Sequence, residues 1–363
     1  MNIKGALVKE KGNIQIEELT LDMPRENEVL IKVVGTGICH TDFSVSNQDI
    51  STPLPIVLGH EGAGVVEQVG DSVTDFKEGD HVILSFAFCN ECKTCITGNP
   101  GACENLGSLN FNGTMMDGTM RIKKDDTNVA TLFGQSSLAT HAIVHESHLV
   151  KVDKDVDLSI LGPLACGIQT GAGTVLKKLK PEFASSIAIF GCGGVGLSGI
   201  MAANIVGCDH IIAVDIDEDR LALAKELGAT HTFNSHEIDD ISETVQSVTN
   251  GGVQYSFDTT AVPSVINEAL NCLAVEGTMA VVGVGGEVSI QIYEDVIIPN
   301  RTIVGVTQGA AIPKMFIPQL IKYYKDGRFP FDKLIKKYPF EDLSKALNDM
   351  EQGKVIKPVI TFE

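Results

Sequence analysis

The chain has 363 residues, which is too long for one core and suits two domains. A hydrophobic content of 44% with 36 glycines suits an α/β protein. Its formal net charge of −19 argues against binding to nucleic acid, because phosphates need a basic surface. The start of the chain has no apolar segment typical of a secretion signal, and no apolar run approaches membrane-spanning length. We therefore expect a cytoplasmic protein with reduced cysteines and no membrane partner.

Residues 1–150 are predicted to form a β-rich domain, because short β-branched runs alternate with turns rich in Gly, Pro and Asp. The predicted strands are Gly5–Val8, Glu28–Thr36, Gly62–Val69, His81–Leu84 and Ala142–Val144.

From about residue 170 strands alternate with helices, which predicts a parallel, doubly wound sheet of the Rossmann type. The predicted strands are Ser186–Gly191, His210–Asp215, Thr230–Asn234, Tyr255–Thr259, Thr278–Val284 and Thr302–Val306, and the helices are Val195–Val206 and Arg220–Leu227. The last residues return to helices and end in a strand, Pro358–Phe362, that we expect to rejoin the first domain. The predicted domain boundaries are 1–166, 167–308 and 309–363, with the last segment belonging to the first domain.

Four cysteines fall within fifteen residues, with the spacing Cys89-x2-Cys92-x2-Cys95-x7-Cys103. Thiolates at this spacing can surround one tetrahedral zinc from a single loop. Disulfides are disfavoured because closely spaced cysteines cannot all pair with good geometry and no secretion signal is present. Since thiols occupy all four positions, the pattern predicts a closed structural zinc site with no position for substrate.

A glycine-rich turn, Gly191-Cys192-Gly193-Gly194-Val195-Gly196, lies between a predicted strand and a predicted helix. In this context the G-x-G-x-x-G pattern predicts a dinucleotide site, with the pyrophosphate at the helix N-terminus. Asp215 ends the next predicted strand, where it can accept both ribose hydroxyls and would repel a 2′-phosphate. The pattern thus favours NAD over NADP, and Arg220 is the nearby residue able to contact a phosphate.

Two further segments have metal-binding potential, Gly37-Ile38-Cys39-His40-Thr41-Asp42 and Gly59-His60-Glu61-Gly62-Ala63-Gly64. With the G-H-E-x-x-G signature, followed by Gly70 and Val73, the chain resembles the zinc-dependent medium-chain alcohol dehydrogenases over nearly its full length. Within that family it looks most similar to the aryl or benzyl alcohol dehydrogenases, in the segments 39–42, 134–141 and 166–171. The resemblance implies a barrel related to the small co-chaperonins for the first domain and an active site in the cleft between domains.

The resemblance also implies a second, catalytic zinc, held by Cys39, His60 and Cys166, with a fourth position open to water or alcohol. Asp42 is expected to orient the His60 ring, and Glu61 lies beside the metal as a transient ligand. Thr41 is expected to hydrogen-bond the alcohol oxygen and carry its proton away, while hydride passes to the nicotinamide.

The chain departs from well-studied relatives at several positions. Ser44 replaces the histidine that ends their proton relay, and His40 replaces an arginine that faces the pyrophosphate, so His40 is either a phosphate contact or also a relay base. Lys357 stands where relatives often have a phosphate-binding arginine, and Val284 is assigned to the cofactor site. Ser85 and Leu138 are candidate substrate walls, although both positions are as often plain packing residues.

These observations predict a zinc- and NAD-dependent enzyme that reversibly oxidises a primary alcohol, of the aromatic benzyl type, to the aldehyde. A polyol or other secondary-alcohol dehydrogenase of the same zinc family is the alternative. A non-catalytic binding protein is disfavoured because all seven candidate zinc ligands are present. The expected partners are a small alcohol or aldehyde and further copies of the chain, in a homodimer or homotetramer.

Overall fold

The computed structural model describes residues 1–362, which form two compact units. The first unit contains Met1–Cys166, Ile312–Gln319 and the residues from Asp332 onward, and the second contains Gly167–Ala311 and Leu320–Phe331. The predicted C-terminal segment 309–363 is therefore divided, since residues 320–331 group with the second unit. There the Arg328 guanidinium donates toward the carbonyl of Ile205, 3.5 Å away. In residues 1–362, no helix combines the length and apolar character needed to cross a membrane.

The N-terminal part of the first unit is β-rich. Five strands close into a barrel in the order β1-β2-β7-β8-β4, and the others join a second sheet in which the central strand β3 pairs antiparallel with β5 and β9. This architecture confirms the predicted β-rich barrel domain. The elements are β1 (Asn2–Val8), β2 (Ile14–Leu21), β3 (Glu28–Gly37), α1 (His40–Ser46), β4 (Ile56–Val57), β5 (Gly62–Val69), β6 (His81–Leu84), α2 (Lys93–Ile96), α3 (Leu106–Phe111), β7 (Ile122–Lys124), β8 (Thr127–Thr131), β9 (His141–His145) and β10 (Leu149–Val152).

The second unit contains a six-stranded sheet in the order β13-β12-β11-β14-β15-β16, with every neighbouring pair parallel. This order, which reverses between β11 and β14, confirms the doubly wound sheet. Helix α6 begins two residues before its predicted start, because the Asp217 side chain accepts from the Arg220 amide and caps the helix. The elements are α4 (Gly167–Gly173), β11 (Ser186–Phe190), α5 (Gly194–Val206), β12 (His210–Asp215), α6 (Glu218–Glu226), β13 (His231–Asn234), α7 (Ile241–Thr249), β14 (Val253–Asp258), α8 (Pro263–Asn271), β15 (Leu273–Val281) and β16 (Thr302–Gly305), with π-helical turns at Thr174–Leu179 and Ile292–Ile297.

The chain ends with α9 (Pro313–Lys325), β17 (Ile335–Pro339), α10 (Leu343–Glu351) and β18 (Lys357–Thr361). Strand β18 pairs with β3 in the first unit, with Val359 opposite Gly37, so the predicted return of the final strand is confirmed. This pairing brings the first residue of β18, Lys357, to the end of β3. The segment that follows β3 contains Cys39, so the C-terminal strand helps to build the site described next.

Candidate active site and metal centres

One cluster in the first unit brings together Cys39, His60, Glu61 and Cys166, whose potential ligand atoms all lie within 4.8 Å of one another. Cys39 follows β3 and caps α1, His60 lies in the turn before β5, and Cys166 comes just before α4. The turn needs Gly59, because its φ is +97° and a Cβ atom there would lie 2.0 Å from the Leu138 amide nitrogen. The cluster is buried except for Cys39, which is half-buried.

The buried Asp42 carboxylate holds two of these ligands in place. Its Oδ2 accepts from the Cys39 amide at 3.0 Å, and its Oδ1 accepts from the Gly59 amide at 3.0 Å and faces His60 Nδ1 at 3.3 Å. His60 Nε2 is buried and has no hydrogen-bond partner among the described residues. An imidazole held by a carboxylate on one nitrogen, with the other nitrogen free, is the usual state of a metal-binding histidine. Nε2 is therefore the atom through which His60 could bind a metal.

The thiols in this cluster are electrostatically coupled. A hydrogen bond from the Cys166 thiol, together with His60, holds the pKa of Cys39 well below its usual range despite burial. The same hydrogen bond and burial raise the pKa of Cys166 well above its usual range. Burial alone would lower the pKa of His60, but the Asp42 carboxylate and Cys39 raise it instead. Two thiols, one of them readily ionised, and one imidazole match the donors that zinc prefers.

Glu61 and Lys357 form a buried ion pair beside this cluster. Lys357 Nζ donates to Glu61 Oε1 at 2.9 Å and to the Ile38 carbonyl at 3.0 Å, and its residue is only 3% exposed. Burial raises the pKa of Glu61 to about 7, in spite of the nearby ammonium, and Glu61 raises the pKa of Lys357 above its usual range although burial opposes this. Gly37 leaves room for the carboxylate, since a Cβ atom there would lie 1.9 Å from Glu61 Oε2.

Lys357 was predicted as a phosphate contact. Its ammonium group is buried and bonded to the Glu61 carboxylate and the Ile38 carbonyl. No sequence signal indicated this pairing, because Lys357 and Glu61 are 296 residues apart. Only the pairing of β18 with β3 brings them together. Glu61 Oε2 has no hydrogen-bond partner among the described residues, so this oxygen is the one able to reach a metal.

The four cysteines of the Cys89–Cys103 loop, called here the tetracysteine lobe, form a second cluster. Their Sγ–Sγ distances are 3.9 Å for Cys89–Cys95, 4.0 Å for Cys92–Cys103 and 3.5 Å for Cys103–Cys89. A tetrahedral zinc with Zn–S bonds of 2.3 Å would separate its sulfurs by about 3.8 Å. Hydrogen bonds from Thr94 and from backbone amides lower the pKa of Cys92 to about 6, whereas burial raises the pKa of Cys95 to about 12, so it is the sulfur geometry that supports a metal site. The lobe therefore fits a closed metal site.

Neither predicted substrate wall has exposed surface. Ser85 and Leu138 are both fully buried. The Ser85 amide donates to the His148 carbonyl, and the Leu138 amide donates to the Leu58 carbonyl. In this conformation both are packing residues, which was the alternative at each position. Sequence reasoning missed Phe133, whose ring stacks on His60 with 4.6 Å between centroids. Phe111 contacts Phe133 edge-on at 5.2 Å.

The glycine-rich turn of the second unit has the close approaches that a dinucleotide site needs. Gly191 has a φ of +91°, and a Cβ atom on Gly196 would lie 1.8 Å from the Gly191 carbonyl oxygen, so neither position accepts a side chain. A Cβ atom on Gly193 would meet nothing within 4 Å, which leaves this backbone open to a ligand. Gly194 and Val195 begin helix α5, whose free amides point toward this turn.

Asp215 ends β12 beside this turn and is largely buried. Its carboxylate accepts from the backbone amides of Cys192, Ile216 and Asp217, so it braces the glycine-rich turn. Arg220 lies on the first turn of α6, with its guanidinium 4.0 Å from Asp217. Val284 lies beyond the end of β15, since the strand stops at Val281, and is 86% exposed.

The remaining predicted residues start helix α1 in the first unit. His40 is exposed, with its ring 6.4 Å from that of Phe43, and Thr41 is half-buried, with its hydroxyl 3.8 Å from Cys39 Sγ. Thr41 thus lies within one side-chain length of the metal cluster, and His40 lies outside it.

Comparisons with known proteins place the chain in a family. Residues 25–154 match the family model described as an alcohol dehydrogenase GroES-like domain, and residues 194–325 match that of a zinc-binding dehydrogenase. The chain is also 42% identical, over 97% of its length, to a geraniol dehydrogenase from Castellaniella defragrans, of which it covers 95%. The chain belongs to the zinc-dependent alcohol dehydrogenases.

Two solved structures resemble this alcohol dehydrogenase along its whole length. A benzyl alcohol dehydrogenase from Acinetobacter calcoaceticus has a TM-score of 0.96 and 42% identity, with 100% of both chains covered. An alcohol dehydrogenase zinc-binding domain protein from Burkholderia ambifaria has a TM-score of 0.97 and 41% identity, with 100% of this chain and 99% of that chain covered. The predicted family and two-domain fold are confirmed, and the chain is an enzyme of the alcohol dehydrogenase class.

Proposed function

We propose that this alcohol dehydrogenase binds two zinc ions and oxidises a benzyl-type primary alcohol to the aldehyde with NAD, reversibly. The observation that carries the chemistry is the buried Cys39, His60 and Cys166 cluster, with His60 Nε2 free for a metal. When bound, zinc polarises the alcohol oxygen and NAD accepts the hydride. Cys39, His60 and Cys166 would hold the metal, Asp42 orients His60, and the Thr41 hydroxyl would accept the alcohol proton while passing its own proton on to water or to His40.

The preference for NAD rests on charge at the end of β12. Asp215 is followed by Asp217, Glu218 and Asp219, so a 2′-phosphate placed here would meet several carboxylates. Arg220 is the one nearby cation in this stretch, and its guanidinium already lies 4.0 Å from Asp217. We infer that the glycine-rich turn binds the pyrophosphate and that Asp215 binds the ribose. His40 and Val284 are proposed as further cofactor contacts.

The proposed aromatic substrate rests on two observations. One similar structure is a benzyl alcohol dehydrogenase, and the Phe133 ring stacks on His60 and is braced by Phe111. A flat aromatic group beside this pair would gain about 0.5–1.5 kcal/mol from ring contacts, in addition to the burial of its surface. We therefore propose the half-buried Phe111, backed by the buried Phe133, as a wall that favours an aromatic substrate.

An NAD reduction screen over benzyl alcohol, ethanol, sorbitol and threonine tests this function. We expect benzyl alcohol to exceed ethanol in kcat/KM by roughly ten- to a few-hundredfold, since one apolar group is worth about 1–3 kcal/mol. Phe133→Leu is expected to reduce this ratio, whereas Phe183→Leu, at an exposed position in the second unit, is the matched control. Higher turnover of sorbitol or threonine would favour a polyol or secondary-alcohol dehydrogenase and contradict the benzyl assignment.

We also propose that the enzyme is a cytoplasmic homodimer. Strand β16 is the edge of the parallel sheet, and four large apolar side chains in the preceding residues are more than half exposed, namely Ile292, Tyr293, Ile297 and Ile298. A second copy of the chain can pair with the open strand edge and cover the exposed apolar side chains beside it. Light scattering of the wild type and of Ile298→Lys tests this, with a tetramer as the alternative assembly and a monomeric wild type as the contradicting result. The proposed thiolate sites need a reducing compartment, which supports the cytoplasm.

A further inference from the structure

The side chain of Asn110 holds the base of the tetracysteine lobe. Its Oδ1 accepts from the Ala87 amide at 2.9 Å, and its Nδ2 donates to the Ala87 carbonyl at 2.9 Å, so one side-chain amide pairs with both backbone groups of Ala87. Ala87 lies two residues before Cys89. Both residues are almost fully buried, where losing these partners would leave unpaired polar groups.

The same residue belongs to the segment that leaves the lobe. Asn110 lies in α3, whose first residue, Leu106, donates its amide to the carbonyl of Cys103 at 3.0 Å. The Asn105 amide also donates to Cys103 Sγ at 3.4 Å. Helix α3 is thus attached to the last cysteine of the lobe at one end and, through Asn110, to the entry of the lobe at the other.

Helix α3 also holds the ring that stacks on His60. The Asn110 carbonyl accepts from the Phe133 amide at 2.9 Å, and the ring of the next residue, Phe111, contacts the Phe133 ring. Phe133 has a φ of +54°, an unfavourable conformation for a bulky residue that its surroundings must maintain. Its ring lies 4.6 Å from the His60 ring and is 29° from parallel with it.

We propose that Asn110 is a positioning residue that couples the tetracysteine lobe to the Cys39, His60 and Cys166 centre. Ordering of the lobe by its metal fixes Ala87 and α3, α3 fixes Phe133, and Phe133 limits the rotation of the His60 ring. His60 is therefore oriented from two sides, by Asp42 through a hydrogen bond and by Phe133 through stacking. The inference rests on the proposed pair of metals, and it assigns the lobe a role in the retention of the second metal.

Transfer of zinc from the holoenzyme to a chromophoric chelator tests the coupling without measuring turnover. The phase that belongs to the lobe is assigned by its absence in Cys92→Ser, and the phase of the catalytic centre by its absence in Cys166→Ser. In Asn110→Ala we expect both phases to accelerate, by about 10- to 100-fold, the range typical of residues that support metal ligands. Phe133→Leu should accelerate zinc release from the catalytic centre and leave the lobe phase unchanged. Asn112→Ala is the matched control, because this exposed asparagine follows the same helix.

Cys92→Ser supplies a second test that does not depend on the folding of Asn110→Ala, since loss of the lobe metal should itself accelerate release from the catalytic centre. Asn110→Asp supplies a third, because it keeps the acceptor for the Ala87 amide but loses the bonds that Asn110 Nδ2 donates to the carbonyls of Ala87 and Leu106, so both phases should again accelerate. If only the lobe phase accelerates in Asn110→Ala, or if zinc leaves the catalytic centre of Cys92→Ser at the wild-type rate, the coupling is overturned. Fewer than two zincs in active wild-type enzyme would overturn the two-metal assignment and the coupling together, whereas two zincs with independent release would overturn only the coupling.

Discussion

Replacing Lys357 with Met tests the buried ion pair most directly. The substitution keeps the side chain long and apolar but removes the ammonium that bonds Glu61 Oε1 and the Ile38 carbonyl. The side chains of Lys357 and Glu61 are 4% and 0% exposed, so water cannot replace the lost partner. Breaking such a pair on one side costs about 3–5 kcal/mol.

For Lys357→Met we expect a destabilisation at the lower end of this range of about 3–5 kcal/mol. With Lys357 present the pKa of Glu61 is already about 7, and without the ammonium it rises further, so the carboxyl is neutral at pH 7 and avoids part of the penalty. A loss of about 3 kcal/mol, with a denaturant slope near 3 kcal/mol/M, lowers the urea midpoint of the first unit by about 1 M. Urea unfolding at pH 7 measures this shift.

Two variants serve as controls. Lys336 is mostly exposed and lies 3.6 Å from Asp349, so Lys336→Met should leave the urea midpoint nearly unchanged. Adding Glu61→Gln to Lys357→Met removes the unpaired acid and should restore most of the lost stability. Equal midpoints for Lys357→Met and Lys336→Met would refute the reasoning. Weaker NAD binding without loss of stability would instead support the phosphate contact that the sequence suggested.

Three further predictions concern the metals, the cofactor and pH. Active enzyme should contain two zincs per chain by metal analysis; Cys92→Ser should lower the thermal midpoint, whereas Cys166→Ser should abolish turnover in a protein with an unchanged far-UV circular dichroism spectrum. Asp215→Gly should lower kcat/KM with NAD and raise kcat/KM with NADP. It should also destabilise the second unit by about 2 kcal/mol or more, because the carboxylate accepts hydrogen bonds from three backbone amides. Use of both cofactors by the wild type would contradict this assignment. Burial, with smaller effects of His145 and Lys314, lowers the pKa of His148 to about 4. As the pH falls below about 6.5, the unfolded chain therefore binds a proton at His148 before the folded chain does. The free energy of unfolding should fall by about 2 kcal/mol between pH 7 and pH 5. Urea midpoints at the two pH values should show this loss in the wild type and a smaller one in His148→Gln, and equal losses would show that His148 is not responsible.

Some features of this enzyme could be read from the sequence because the residues that form them are neighbours in the chain. The tetracysteine lobe needs only fifteen residues, and the glycine-rich turn needs a strand, six residues and a helix. The alternation of strands and helices after residue 170 likewise specified the parallel sheet, since each crossover is local. For the Cys39, His60 and Cys166 centre, residue spacing was insufficient, and only resemblance to a family indicated those ligands.

Other features depended on contacts between distant residues, which no local pattern reports. Ser85 was a candidate substrate wall by resemblance to relatives, with plain packing as the alternative, and its burial is decided by the strands and loops that pack over it. Phe133 reaches His60 across 73 residues, and Lys357 reaches Glu61 across 296, so neither pair leaves a periodic signal. The sequence by itself determined the local motifs and the type of each sheet, because hydrogen bonding and turn chemistry act over short stretches of chain. Only the tertiary structure decided which charge pairs with Glu61 and which ring covers His60, because those contacts exist only after β18 has paired with β3 and α3 has packed against Phe133.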